Sequence, residues 1–206
     1  LEKARRSAIE KRDIGLGTLG FHELLQMKGH AFGDIYSRAM NRDIYRTIRQ
    51  VGEQTTYLMA KKLGSPKMCK EAGLDRRNVS LMMVAPNKST SFISGATSLG
   101  IEPFMSNVFE KEIAKIEYTF KNKNLEKLLK KRGKDTSEVW ESIAKNLGSV
   151  QHLDFLDEKE KAIYKTFSEI SPKDIIDMAA ERQSYIDMAQ SINLVSRPNY
   201  GVKELT

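Results

Sequence analysis

The chain has 206 residues, 40% of them hydrophobic, enough to bury the core of one domain or of part of a larger one. It has no apolar run of transmembrane length, no secretory signal pattern, and a formal charge of +7 that suits an anionic ligand or partner. The single cysteine, Cys69, excludes an internal disulfide and a paired-cysteine metal site, and a reducing, cytoplasmic setting fits best.

The chain opens at Leu1, without methionine, inside a helix-like stretch, LEKARRSAIEKRD. Gly15-Leu-Gly-Thr-Leu-Gly20 follows and matches GxGxxG. That pattern marks a dinucleotide site only between a strand and a helix, with an acidic residue at the end of the next strand. Here a charged, helix-like segment precedes it, so the glycines are read as positions where a helix packs closely. Residues 18–28 predict a short buried helix closed by Gly29. Residues 34–63 predict the longest helix, capped by Asp34 and ended by Gly64, with Ile44, Ile48, Val51, Thr55 and Leu58 as its stripe. Ser65-Pro66 opens a short helix with proline at its first position.

Residues 79–85 are nearly all apolar and predict a strand buried on both faces. Residues 116–121, IEYTFK, alternate and predict a second strand. Helices are expected at 125–132, 137–147 and 158–167, the last opened by a capping box of Asp157 and Glu160. Ser171-Pro172 opens another to about Glu181, and residues 191–195 predict a short strand. Asn199 or Gly201 opens a final helix about one turn before Thr206, so the sequence reads as the middle of something longer. Strands separated by long helical stretches point to α/β architecture. Residues 1–206 are read as one partial domain with no second domain.

The histidines, at 22, 30 and 152, lack metal-ligand spacing and are expected in surface or hydrogen-bonded structural roles. Cys69 lies between lysines that lower a thiol pKa, but a lone helical cysteine is usually inert. The basic run 121–132 carries Leu125, Leu128 and Leu129 at helical spacing and reads as an amphipathic helix with a solvated lysine face. The segment after the apolar run is different. Pro86 stops the strand, and Asn87, Lys88, Ser89, Thr90 and Ser91 follow directly. Backbone N–H groups at a helix start, three hydroxyls and a lysine are what hold a phosphate. The other reading is that Ser89 or Ser91 simply caps a helix. Pattern alone leaves these readings even. It also leaves open two functions: a phosphate-binding α/β enzyme, or a non-enzymatic basic helical domain that binds nucleic acid.

The stretch APNKSTSFISGATSLGIEPF resembles the substrate-phosphate loop of the ribonucleotide reductase large subunit, class I aerobic type. It carries the barrel-strand proline (Pro86), the short polar residues 87–91, and Ile101-Glu102-Pro103. Residues 11–17 (KRDIGLG), 148–156 (GSVQHLDFL) and 189–194 (AQSINL) are similar to other segments of that family in the same order. The resemblance implies a mostly helical C-terminal portion of a ten-stranded α/β barrel, incomplete at both ends. It implies reduction of ribonucleoside diphosphates to deoxyribonucleoside diphosphates by radical chemistry, with Pro86, Asn87, Lys88, Ser89 and Thr90 lining the substrate's β-phosphate. Ser91 and Glu102 would support the loop. Lys88 departs from members with an acidic or small residue there.

The family's catalytic cysteines would fall before Leu1, and its radical-transfer tyrosines and redox-active tail cysteines after Thr206. No catalytic residue, metal or cofactor is therefore expected in this segment. The radical cofactor would sit in the small subunit and nucleotide effectors would bind upstream. The implied partners are a ribonucleoside diphosphate, the remainder of the large subunit and the radical-generating small subunit, with no membrane and no nucleic acid. Alone, the chain is expected to be inactive, as one piece of a split enzyme or as a fragment.

Overall fold

A computed structural model describes residues 1–95, 97–113 and 116–195. The expected helix opening at Asn199 or Gly201 lies outside the described residues. The chain forms two compact groups, one of Leu1–Thr18, Arg38–Ala85 and Asp177–Ile192, the other of Leu19–Ser37, Pro86–Ile176 and Asn193–Thr206.

In the first group, α1 (Glu2–Lys11) ends at Arg12 in the left-handed conformation, φ 54°. The next residues run extended beside the stretch that leads toward Pro86. The Ile14 and Leu16 N–H groups donate to the Ser80 and Leu81 carbonyls at 3.2 and 2.7 Å, and the Met83 N–H donates to the Leu16 carbonyl at 3.1 Å. The two stretches are parallel and share one bridge, Leu16 with Met82. The apolar run at 79–85 was expected to be a regular strand, but it does not form one. On its other side the Leu81 and Met82 N–H groups donate to a side chain, the Asp187 carboxylate, rather than to the carbonyls of a second strand. Gly15 and Gly17 of GxGxxG serve this approach, both lying against Met83, whereas Gly20 caps the start of the next helix. A Cβ on Gly17 would stand 2.7 Å from the Met83 carbonyl oxygen.

Helix α3 (Ile35–Leu63) supplies most of its length to this group. Its boundaries match the expectation: Asp34 caps the Ser37 N–H at 2.6 Å, and Gly64 turns left-handed at φ 75°. Its buried face does not match. Val51 and Leu58 are 55% and 62% exposed, whereas Asn41, Tyr45, Gly52, Thr56 and Ala60 are buried. That face is polar because each polar group has a partner. Asn41 donates to the Met178 carbonyl and accepts from Arg182 Nε, Tyr45 pairs with Thr18, and Thr56 pairs with Asn78. Burial lowers the Arg182 pKa to about 10. The short α4 (Lys67–Glu71) buries Cys69, and burial pushes its thiol up, which keeps it unreactive.

In the second group, α2 (Phe21–Lys28) is followed by α5 (Lys88–Ile93) and an antiparallel hairpin. The hairpin pairs β1 (Val108–Ile113) with β2 (Ile116–Lys121) in the register Val108 to Lys121 through Ile113 to Ile116. β2 lies where the alternation placed it. The core is built by α6 (Lys123–Lys131), α7 (Ser137–Lys145), α8 (Glu158–Ile163) and the connection before α8. It packs Leu125, Leu129, Trp140, Ile143, Val150 and Leu153 together. Each helix has a side-chain cap. Asn122 accepts the Asn124 N–H at 3.0 Å, Thr136 caps α7, and Asp157 and Glu160 form the expected capping box at 2.8 and 3.1 Å.

A chain of buried amides runs beneath α6. Gln26 accepts from Asn122, Asn122 donates to Asn107, and Asn107 donates to the Gly148 and Tyr164 carbonyls. Helix α9 (Pro172–Gln183) begins at Pro172 as expected and belongs to both groups by its two ends. Residues 191–195, expected as a strand, are irregular. Asn193 instead donates its side-chain amide to Glu102 at 2.6 Å.

Candidate functional site

The polar run after Pro86 forms one and a half turns of helix. Asn87 takes the left-handed conformation, φ 52°, and α5 begins at Lys88. Asparagine tolerates this conformation better than most residues, and it bends the chain sharply at the helix start. The N–H groups of Lys88, Ser89 and Thr90 occupy the first turn, where a helix offers no internal acceptor. The Lys88, Ser89 and Thr90 side chains are exposed around that end. Ser91 is buried instead, and its hydroxyl donates to the Lys88 carbonyl at 2.8 Å. It holds the first turn closed from inside, so four of the run's five residues, together with Pro86, face outward or lie at the helix start.

The far end of the loop is anchored on α2. The Gly20 N–H donates to the Ser98 carbonyl at 2.9 Å, the Glu23 N–H to the Ser98 hydroxyl at 3.2 Å, and the Phe21 N–H to the Gly100 carbonyl at 3.3 Å. Gly20 needs its positive φ of 78° here, and a Cβ would meet the Thr97 hydroxyl at 2.7 Å. The returning Ile101-Glu102-Pro103-Phe104 stretch is then fastened by His22, whose Nδ1 accepts the Phe104 N–H at 2.9 Å. Glu102 is half-buried, with its carboxylate on Asn193. Lys123 donates to the Gly95 carbonyl at 2.6 Å, placing a cation at the C-terminal end of α5, where the helix dipole favours one.

Beneath α5 lies a cavity of about 400 Å³ walled by Phe92, Leu99, Pro103, Phe104, Met105 and Phe109, with Lys88 and Ser91 at its edge. Phe92 packs edge-on against Phe109 and Phe120, which stack on each other at 5.3 Å between ring centres. The sequence singled out the polar face of the loop but not this apolar underside. Its signal is Phe92 one helical turn after Lys88 and beside Ser91, on the side of α5 away from Thr90. Among the described residues, no three His, Cys, Asp or Glu side chains converge as a metal site requires, and no helix is long and apolar enough to cross a membrane.

The loop exposes donors and a cation on a short helix held from below by aromatic packing and from behind by α2. Donors and a cation at a helix start are the chemistry that suits an anion. Comparison with known proteins gives the loop a context. Residues 1–72 and 65–206 match the family model described as "Ribonucleotide reductase, barrel domain". The chain is 38% identical over 209 residues to the ribonucleoside-diphosphate reductase large subunit of Invertebrate iridescent virus 6, covering 100% of this chain and 22% of that protein. It is 31% identical to the large subunit of Caenorhabditis elegans, covering 97% of this chain and 29% of that one. Among solved structures it is similar to the Actinobacillus ureae class Id ribonucleotide reductase alpha subunit, at 44% identity and a TM-score of 0.88, over 97% of this chain and 36% of that chain. The chain thus spans between about a fifth and somewhat more than a third of these relatives. It belongs to the ribonucleotide reductase barrel domain family and forms an α/β barrel portion of the kind found in the large subunit.

Proposed function

We propose that this chain supplies the substrate-phosphate loop of a ribonucleoside-diphosphate reductase large subunit, as the C-terminal part of a ten-stranded barrel. The observation that carries the reading is the helix start at Lys88, with exposed Lys88, Ser89 and Thr90 around open N–H groups, in a chain of this family. The β-phosphate of a ribonucleoside diphosphate takes those N–H groups and the Ser89 and Thr90 hydroxyls as donors. The partial positive charge of the helix start and the Lys88 ammonium offset its negative charge. Asn87 and Pro86 set the bend that aims the helix, and Ser91 keeps its first turn closed. The phosphate is held and the ribose oriented; the bond-breaking chemistry belongs to groups outside this chain. Cys69 is buried in α4, and this reading gives it no part in the chemistry.

The chain acts only as part of an assembly with the rest of the large subunit and the radical-generating small subunit. An apolar cleft of about 430 Å³ in the first group supports this. There Ile48, Val51 and Met59 of α3 face Ile14, Leu16 and Leu81. Val51, Met59, Ile14 and Leu16 are exposed, and such a surface favours burial against further chain.

The experiment is a reconstitution. The chain is mixed with an upstream fragment that carries the catalytic cysteines, a C-terminal tail segment and the small subunit, and deoxynucleotide formation is measured. Activity that falls in a Ser89→Ala/Thr90→Ala variant supports the reading. Activity equal in parent and variant removes the loop from substrate binding, and failure to associate with the upstream fragment removes the assembly.

A further inference from the structure

We propose that Asp187, seconded by Asp13, is a positioning residue for substrate-phosphate binding: together the two carboxylates hold three successive backbone N–H groups, those of Ser80, Leu81 and Met82, on the stretch that runs into Pro86. The inference rests on the phosphate-loop reading above. Asp187 Oδ2 accepts the Leu81 and Met82 N–H groups at 2.7 and 2.9 Å, and Asp13 Oδ1 accepts the Ser80 N–H at 3.2 Å and its hydroxyl at 3.1 Å. The Asp187 N–H returns a bond to the Met82 carbonyl at 3.2 Å.

This arrangement is unlike sheet pairing. In a strand, successive N–H groups point to opposite edges, so a neighbouring strand takes only every second one. Leu81 and Met82 are adjacent, yet both donate to one oxygen. Only a group with several lone pairs on a single atom can do that, and a carboxylate oxygen is such a group. The stretch is therefore bent as a bulge would bend it, and Asp187 holds the bend. On the other side, Ile14 and Leu16 donate to the Ser80 and Leu81 carbonyls. Three residues in a row are thus fixed by both N–H and C=O, four to six positions before Pro86.

Asp187 is in turn held by a charged cluster. Its Oδ1 meets Arg49 at 2.6 Å, Arg49 meets Glu53 at 2.5 Å, and Arg76 meets Glu53 at 3.4 Å. The Arg49 guanidinium and the two backbone donors outweigh burial and keep the Asp187 carboxyl below the usual aspartate range. The charge on Asp187 is what lets one side chain replace a strand. The phosphate loop follows this fixed backbone directly in the chain, so its first residues are tethered to it, and substrate binding responds steeply to misplacement of positioning groups.

The test uses the reconstituted assembly with Asp187→Ala and Asp187→Asn, beside the Ser89→Ala/Thr90→Ala variant. Asp187→Ala is expected to raise KM for the ribonucleoside diphosphate about tenfold, with kcat falling by less, and Asp187→Asn to raise it by a smaller factor. A purely structural role would lower the unfolding temperature and leave KM alone. If the Ser89/Thr90 variant raises KM and neither Asp187 variant does, the inference is overturned and the phosphate-loop reading stands. If none of them raises KM, both fall. Should Asp187→Ala fail to fold, Asp187→Asn decides the question through KM and through amide exchange of Leu81 and Met82. Faster exchange together with a raised KM supports the inference, and exchange at the parent rate overturns it.

Discussion

His22 makes the second group acid-sensitive, and the size of the effect can be worked from its surroundings. The ring is fully buried, with Phe32 and Phe104 each 5.6 Å away between ring centres. Its Nδ1 accepts the Phe104 N–H, so the neutral ring carries its proton on Nε2, toward the Ile163 carbonyl. A second proton would have to go on Nδ1 and would break the Phe104 bond. Burial is the larger cause and the Ile163 carbonyl a smaller opposing one, and together they lower the pKa from 6.5 to about 4. Between those values the unfolded chain binds a proton that the folded chain does not, so stability rises with pH across the window. The contribution is fully present above pH 6.5 and is lost as pH falls toward 4, about 3 kcal/mol in all and about 2 kcal/mol by pH 5. Urea unfolding of the parent chain and of His22→Asn, which keeps an acceptor near the Nδ1 position, measures it between pH 7 and 5. The parent should lose about 2 kcal/mol more than the variant. Equal losses in the two, or a folded-state His22 ring that titrates near 6.5 by NMR, would refute the argument.

Two further expectations follow from packing. Asn107→Ala removes the side chain that joins the Gly148 and Tyr164 carbonyls to Asn122, all buried or at the core edge, and should cost about 3 kcal/mol in urea unfolding. Gly17→Ala puts a methyl group 2.7 Å from the Met83 carbonyl oxygen and should lower stability by about 1–3 kcal/mol, with faster amide exchange at Leu16 and Met83.

Local signals carried much of the fold. The capping box at Asp157, Asp34 at the start of α3, and Gly29 and Gly64 mark helix ends by chemistry that acts within four residues. Apolar periodicity failed on α3. It selected Val51 and Leu58, which are exposed, because the buried face is made of Asn41, Tyr45 and Thr56. Polar side chains can be buried only once their partners are known, and Arg182 and Met178 lie far along the chain. β1 escaped notice because VFEKEI carries three successive charged residues, Glu110, Lys111 and Glu112, which break the apolar alternation of a half-buried strand. The helix start after Pro86 was legible from the run Asn87 to Ser91, but the inward turn of Ser91 was not. The Asp187 clamp was invisible, because its partners are 105 and 106 residues away.

The most direct test of the account is equilibrium binding of a ribonucleoside diphosphate and of the matching nucleoside to the reconstituted assembly, with and without Ser89→Ala/Thr90→Ala. The account predicts that the parent prefers the diphosphate and that the variant loses at least about tenfold of that preference, while its affinity for the nucleoside stays the same. A variant that keeps the full preference would contradict it, because the phosphate would then be held by something other than the helix start at Lys88.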